Sequence, residues 1–84
     1  MAAAMNKSQK RKLANDRLVM AVKGYVGLYG RGNIKKYVKS NLGIEYRTFT
    51  NRMNDPETLD LAELRMIFDK CQFRDEQILE VFGR

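Results

Sequence analysis

Residues 42–53, LGIEYRTFTNRM, decide the fold that we expect for this chain. A leucine closes one helix, Gly43 suits the left-handed backbone that commonly ends a helix, and a second short helix follows directly. Phe49 and Met53 are one helical turn apart, which predicts the buried side of this second helix, over about residues 45–53. The side chains expected to face outward are Tyr46, Arg47, Thr50, Asn51 and Arg52.

This arrangement predicts a helix-turn-helix, in which the first helix braces a second helix that enters the major groove of DNA. Arginine can form two hydrogen bonds with guanine and asparagine can do the same with adenine, so Arg47 and Asn51 are the best candidates for reading bases. Tyr46 and Thr50 are candidates for contacts with thymine methyl groups or phosphates. Taken singly, Arg47 and Asn51 on an exposed helix face are most often ordinary surface residues. The interpretation depends on turn, spacing and charge occurring together.

Charge is divided unequally between the two halves of the chain. Residues 1–54 contain twelve Lys and Arg and two acids, a net charge of +10, whereas residues 55–84 contain four Lys and Arg and eight acids, a net charge of −4. A net positive charge in only the half with the turn predicts a polyanionic partner, although a solvated lysine face is a simpler explanation. The candidate phosphate contacts are Lys35, Lys36, Lys39, Arg52, Lys7, Lys10, Arg11 and Lys12.

Five short helices are predicted from apolar residues spaced three and four apart, and from capping residues. N-caps are expected at Asn15, Asn33 and Asp60, with Glu63 completing a capping box after Asp60. Gly24 and Gly27 weaken the first helix, or permit close packing of another helix. The sequence Gly30-Arg31-Gly32 is expected to end it. The predicted helices are residues 16–28, 34–42 and 45–53, a fourth from Asp60 to about residue 71, and residues 75–82.

The periodic apolar residues predict which side of each helix faces the core. A thin core is expected, since a domain of this size buries only about 60% of the surface of its unfolded chain. The residues predicted to face inward, besides Phe49 and Met53, are Leu18, Val22, Tyr25, Val26 and Tyr29 in the first helix, Ile34, Tyr37, Val38 and Leu42 in the second, Ile44 at the corner, Leu61, Leu64, Ile67 and Phe68 in the fourth, and Ile78, Leu79 and Phe82 in the fifth.

The expected fold is therefore an all-α single compact domain, residues 15–84, with the turn at residues 42–45. Residues 1–14 are predicted to form a basic flexible N-terminal arm. Such an arm either keeps the protein in solution or follows phosphates into a groove of the DNA.

Composition excludes several classes of site. The chain has no histidine, and Cys71 is its single cysteine, so neither a zinc cluster nor an intrachain disulfide is expected. Cys71 is predicted to pack as a small apolar side chain in a reducing compartment. No apolar run approaches the roughly 20 residues that cross a bilayer, and the basic stretch MAAAMNKSQKRK has no long apolar core, so we do not expect it to act as a secretory signal. We expect a cytoplasmic protein with no cofactor, metal, membrane or small-molecule partner, and an enzyme is the least expected class.

The chain resembles the lambda repressor-like helix-turn-helix domains of phage and bacterial regulators over about residues 33–82. The resemblance depends on Val38, Leu42, Gly43 and Ile44, on YRTFTNRM with NDP behind it, and on DPETLDLAELRMIFDKC. It implies that the outer face of the third helix contacts bases and that the start of the second helix contacts phosphate. Transferred to this chain, the base contacts are Tyr46, Arg47, Thr50 and Asn51, and the phosphate contacts are Asn33, Lys35 and Lys36.

The predicted function is sequence-specific binding of double-stranded DNA by a small phage or bacterial transcriptional regulator, in the cytoplasm or nucleoid. A homodimer is expected, because one short recognition helix reads only a few base pairs. Two alternatives stay open. The first is an architectural protein that binds nucleic acid without reading its sequence. The second is a protein-interaction module, such as an inhibitor of a host protein.

Overall fold

The described residues of the computed structural model, 6–82, are organised as five helices, and no strand occurs among them. The all-α prediction is confirmed. Within this range no helix is long and apolar enough to cross a membrane. The helices are α1 (Lys7–Tyr29), α2 (Ile34–Tyr37, continuing as a π-helical segment, Val38–Leu42), α3 (Tyr46–Asn54), α4 (Leu61–Lys70) and α5 (Asp75–Val81), with a 3₁₀ turn at Pro56–Thr58 between α3 and α4.

Helix α1 begins much earlier than predicted. The Asn6 side chain accepts a hydrogen bond from the backbone N–H of Gln9 (2.8 Å), and the Gln9 side chain accepts one from the N–H of Asn6 (3.0 Å). This reciprocal capping box satisfies two backbone donors at the start of the helix. The prediction of a helix start at Asp16 with Asn15 as N-cap is therefore wrong. Residues 7–14 belong to the helix rather than to an arm before it, and residues 1–5 lie outside the described range.

The core is built along one face of α1. Ala14, Leu18, Val22 and Val26 are spaced four residues apart and are all buried. This spacing keeps them on one side of the helix, so α1 acts as a spine against which the other helices pack. The residues buried against it are Val38, Leu42, Phe49, Met53, Ile67 and Cys71, as the sequence predicts for each.

Five residues predicted to face the core are largely exposed. They are Tyr29, Ile34, Leu61, Leu79 and Phe82, and each lies in the first or last turn of a helix or just beyond it. The apolar spacing in the sequence continues to the ends of the helices, whereas the thin packed core does not reach these ends. Tyr25, Tyr37, Ile44, Leu64, Phe68 and Ile78 are half-buried.

Helix α1 ends at a close contact with α2. Gly30 is buried, and its N–H donates to the carbonyl of Val26 (2.7 Å). A Cβ atom on Gly30 would lie 2.9 Å from Cβ of Tyr37, which is closer than packed carbon atoms approach. The absence of a side chain at Gly30 therefore lets the two helices meet, and the predicted stop at this glycine is confirmed. By contrast, Gly24 and Gly27 face open space, so they permit no close packing within the chain.

The turn before α3 contains the left-handed glycine predicted from the sequence. Gly43 has a φ of 75°, and its N–H donates to the carbonyl of Val38, five residues back, over 3.1 Å. That bond belongs to a π-helical turn, which holds one residue more than an α-helical turn. Glu45 is the N-cap of α3 but its side chain makes no capping hydrogen bond.

The C-terminal half confirms two local predictions. The Asp60 side chain accepts from the N–H of Glu63 (2.7 Å) and the Glu63 side chain accepts from the N–H of Asp60 (2.9 Å), which forms the expected capping box of α4. Cys71 follows α4 and is buried. Burial disfavours the charged thiolate and raises the pKa of the Cys71 thiol from 9.0 to about 11.

Candidate nucleic-acid interface

The exposed face of α3 carries a row of three polar side chains. Arg47, Asn51 and Asn54 follow one another at spacings of four and three, which places them on one side of the helix, away from the buried Phe49 and Met53. Within residues 6–82 none of the three side chains forms a hydrogen bond or an ion pair. The row is therefore free to bind an external partner. Asn54 was absent from the predicted site, although its helical spacing from Arg47 was visible in the sequence.

Tyr46 and Thr50 lie on the flank of α3 that faces α1. Tyr46 is half-buried, with its ring centroid 6.2 Å from that of Phe49. Thr50 is exposed, but its hydroxyl donates to the carbonyl of Tyr46 (3.0 Å) and so is partly engaged within the helix. The four predicted base-contacting residues are thus divided between the outer row and this flank.

Two lysines lie close to Tyr46 of α3. A groove of about 230 Å³ between α1, α2 and α3 is lined by Lys23, Tyr46 and Thr50, so Lys23 of α1 lies beside the flank of α3. At the start of α3, the ammonium group of Lys35 lies 5.8 Å from the centroid of the Tyr46 ring, within the range of a cation–π contact. Lys23 was not predicted as a site residue because its position beside α3 depends on how the helices pack.

The residues of α2 that were predicted to contact phosphate lie at its N-terminus. The Asn33 side chain caps the helix by accepting from the N–H of Lys36 (3.1 Å). Lys35 and Lys36 are exposed and have no acidic partner within residues 6–82. Lys39 is different, because its ammonium group pairs with the Glu45 carboxylate at the start of α3. This pair neutralises a carboxylate that would otherwise repel a phosphate near α3.

Arg52 does not share the exposed row. Its side chain is half-buried, and Nε lies 3.2 Å from both carboxylate oxygens of Glu63. Glu63 is itself part of the capping box of α4, so this contact joins α3 to α4. The structure therefore places the Arg52 guanidinium in a contact between helices, although it was predicted to reach phosphate.

The basic residues near the start of α1 also differ in their surroundings. The Arg11 guanidinium pairs with the Glu57 carboxylate in the turn after α3, and the Asn15 amide donates to the same carboxylate (2.8 Å). A hydrogen bond to Asp16, 2.8 Å long, raises the pKa of Lys12. The cations of this group with no acidic partner among the described residues are Lys7 and Lys10.

Compared with models of protein families, with curated proteins and with solved structures, the chain matches none. The partner of this interface therefore has to be inferred from its side chains and charge. The exposed row consists of one guanidinium, from Arg47, and two amides, from Asn51 and Asn54, and lysines lie beside the helix that carries it.

Proposed function

We propose that the protein binds double-stranded DNA in a sequence-specific way, with α2, the turn at Gly43 and α3 acting as a helix-turn-helix. One observation carries the proposal. The row formed by Arg47, Asn51 and Asn54 is exposed and has no internal partner in the described part of the chain, while Lys23 and Lys35 lie near Tyr46 of the same helix. These side chains are the types that read bases and bind phosphate.

The dimensions of α3 suit this role. The major groove of B-DNA is about 12 Å wide and admits one α-helix. Arg47 would then meet a guanine and the amides of Asn51 and Asn54 would meet adenines, on neighbouring base pairs. A helix of nine residues reads only a few base pairs, so a regulator of this kind gains specificity by binding two half-sites as a dimer.

The flanking lysines would position α3 in the groove. Phosphate contacts fix the register and orientation of a protein on the duplex. Lys35 and Lys36 lie at the start of α2, and Lys23 of α1 lies beside the Tyr46–Thr50 flank of α3. The ion pair between Lys39 and Glu45 balances the carboxylate at the start of α3.

The proposal is tested by selecting preferred duplexes from a randomised pool and measuring binding by fluorescence anisotropy. On a selected duplex, Arg47→Ala should weaken binding by about 5- to 150-fold, or 1–3 kcal/mol, with little change on unrelated duplex. Lys70→Ala is the control, because Lys70 is an exposed cation at the far end of α4. Equal losses on selected and unrelated duplex, or no enrichment during selection, would contradict base reading by α3.

A second candidate function is binding of nucleic acid without sequence preference. It is favoured by α1, whose six basic residues and one acid give a net charge of +5. Lys7 and Lys10 are exposed on this helix with no acidic partner among residues 6–82. In that case, unrelated duplex should compete as well as any selected sequence, and Lys7→Ala should reduce binding as much as Arg47→Ala.

A further inference from the structure

A groove of about 310 Å³ opens between the first turns of α1 and the end of α5. Its apolar lining consists of the buried Ala14, the half-buried Val81 and the exposed Phe82. Lys10 and Lys7 also line it, and they lie one and two turns before Ala14 on the same side of α1. The groove therefore forms where the apolar face of α1 ends and lysines take its place. We call it the basic groove.

The positive charge of the basic groove lies in its own lining. Among the described residues, this lining contains the cations Lys7, Lys10 and Arg11 and no acid. The Arg11 guanidinium is balanced by the Glu57 carboxylate. Lys7 and Lys10 are exposed and have no acidic partner among residues 6–82, so their two charges remain available. A ligand of this groove is therefore attracted if it is an anion.

One aromatic ring stands beside these lysines. Phe82 is 54% exposed, although it lies at the end of the last helix. Its ring centroid is 6.1 Å from that of Phe68, and the two rings meet edge to face. This contact restricts the orientation of the Phe82 ring. The basic groove thus combines an anchored, open aromatic ring with two ammonium groups.

We infer that the basic groove binds single-stranded nucleic acid, with an unpaired base against the ring of Phe82 and phosphates on Lys7 and Lys10. Proteins that bind single strands combine cations that follow the backbone with aromatic rings on which bases stack. Lys7 and Lys10 are about 4.5 Å apart along the axis of α1, so both reach one short stretch of backbone. The volume of about 310 Å³ is small for a ligand pocket and suits a single nucleotide of the strand.

The same features disfavour other anionic partners. In a duplex the faces of the bases are covered by their neighbours, so the ring of Phe82 would have no base to stack on. An acidic peptide helix needs apolar contacts on successive turns, whereas this groove offers one ring at one end. An anionic bilayer binds helices that carry a large apolar face, and residues 7–12 of α1, KSQKRK, contain no apolar side chain.

The basic groove is separate from the groove beside α3. Lys10 precedes Lys23 by thirteen residues, which is about 20 Å along α1. Attraction of a duplex to the lysines of α1 requires charge alone, whereas binding of a single strand in the basic groove also requires the ring of Phe82. Binding there does not depend on what α3 binds, so the two surfaces can be tested independently.

The first test is spectroscopic and uses the full-length protein. The chain contains no tryptophan, so Phe82→Trp introduces a single fluorescent ring into the basic groove. The probe is mixed-sequence single-stranded DNA of about 12 nucleotides, within the usual range of site sizes. We expect this strand to quench the tryptophan fluorescence by stacking, and the duplex of the same sequence to leave it unchanged.

Affinity for the labelled strand is then measured by fluorescence anisotropy. Phe82→Leu keeps an apolar side chain but removes the flat ring, so binding should weaken by about fivefold or more, whereas Phe82→Trp should retain it. Replacing Lys7 and Lys10 together by Ala should lower the slope of log affinity against log salt by about 1.4, since each phosphate contact of a single strand contributes about 0.7.

Tyr29→Leu is the matched control, because Tyr29 is an exposed aromatic residue at the other end of α1, outside the basic groove. It and Arg47→Ala should each change single-strand binding by less than about twofold. In the unsubstituted protein, amide shifts caused by the strand should fall on residues 7–15 and 81–82, which locates the site without any variant.

Several results would overturn this assignment: no quenching by the single strand, equal quenching by the duplex, equal effects of Phe82→Leu and Tyr29→Leu, or amide shifts confined to α3. Binding of anionic phospholipid vesicles or of polyglutamate that is lost with Phe82→Leu, without binding of the single strand, would assign the basic groove to those occupants instead.

Discussion

The same substitution at Gly24, inside α1, and at Gly30, directly after it, should have opposite effects on stability. Gly30→Ala would place a Cβ atom 2.7 Å from the carbonyl oxygen of Val26 and 2.9 Å from Cβ of Tyr37. Neither of these atoms belongs to the end of a flexible side chain, so residue 30 would have to shift away from the last turn of α1 and α2 would have to move with it, by about half an ångström. Overpacking of this kind costs about 1–3 kcal/mol of the free energy of unfolding.

Gly24→Ala is the internal control. A Cβ atom there meets nothing within 4 Å, and Gly24 lies inside a regular helix. Alanine loses less backbone entropy than glycine on folding into a helix, so this variant should gain about 0.5–1 kcal/mol. The two variants should therefore differ by about 1.5–4 kcal/mol, although both add one methyl group to the same helix.

Urea denaturation followed by circular dichroism measures both values, with the slope of the transition checked for constancy. Thermal unfolding is a second measurement, in which 1 kcal/mol shifts the Tm of a domain this size by about 4–8 °C. If Gly30→Ala is as stable as the parent protein, the close approach of α1 and α2 at Gly30 does not limit stability. The same conclusion follows if Gly24→Ala is destabilised as much as Gly30→Ala.

Three other changes test separate parts of the fold. Burial raises the pKa of the Cys71 thiol above its value in the unfolded chain, so the stabilisation is complete below about pH 9 and is lost as the pH rises to about 11. Over this range the free energy of unfolding should fall by roughly 2–3 kcal/mol more than in Cys71→Ala. Equal falls in the two proteins would refute the assignment of this pH dependence to Cys71. Glu57→Ala should speed amide exchange in the first turns of α1 by freeing Arg11, while urea unfolding changes by less than about 1 kcal/mol, since the pair is exposed; unchanged exchange would show that the pair does not hold α1. Ile67→Ala should cost about 2–5 kcal/mol in urea denaturation, because Ile67 is fully buried in the core, and a loss below about 1 kcal/mol would contradict its central position.

The sequence predicted helix boundaries correctly where the residues that form the cap are close together along the chain. Asn33, the Asp60–Glu63 pair and Gly43 were all identified from a few neighbouring residues, and each occupies the predicted position. The start of α1 was missed even though Asn6 and Gln9 form the same kind of signal. The run of basic residues after Asn6 was interpreted as an arm, whereas basic residues are compatible with a solvated helix.

Interactions between distant residues could not be predicted. Arg11 and Glu57 are 46 residues apart, and Arg17 and Glu80 are 63 apart. The sequence shows how many cations the chain has, but the fold determines which are neutralised by an acid. For the same reason Lys23 was missed, since its place beside α3 follows from the packing of α1.

The π-helical segment Val38–Leu42 affects how insertions and deletions should be interpreted in this chain. Its extra residue is taken up within one turn, because a π-helical turn holds one residue more than an α-helical turn. Deleting one residue between Val38 and Gly43 would therefore restore an ordinary α-helical turn and leave the direction of α3, and of its polar row, nearly unchanged. Homologues that differ by one residue in the length of this segment should therefore still present the same binding surface.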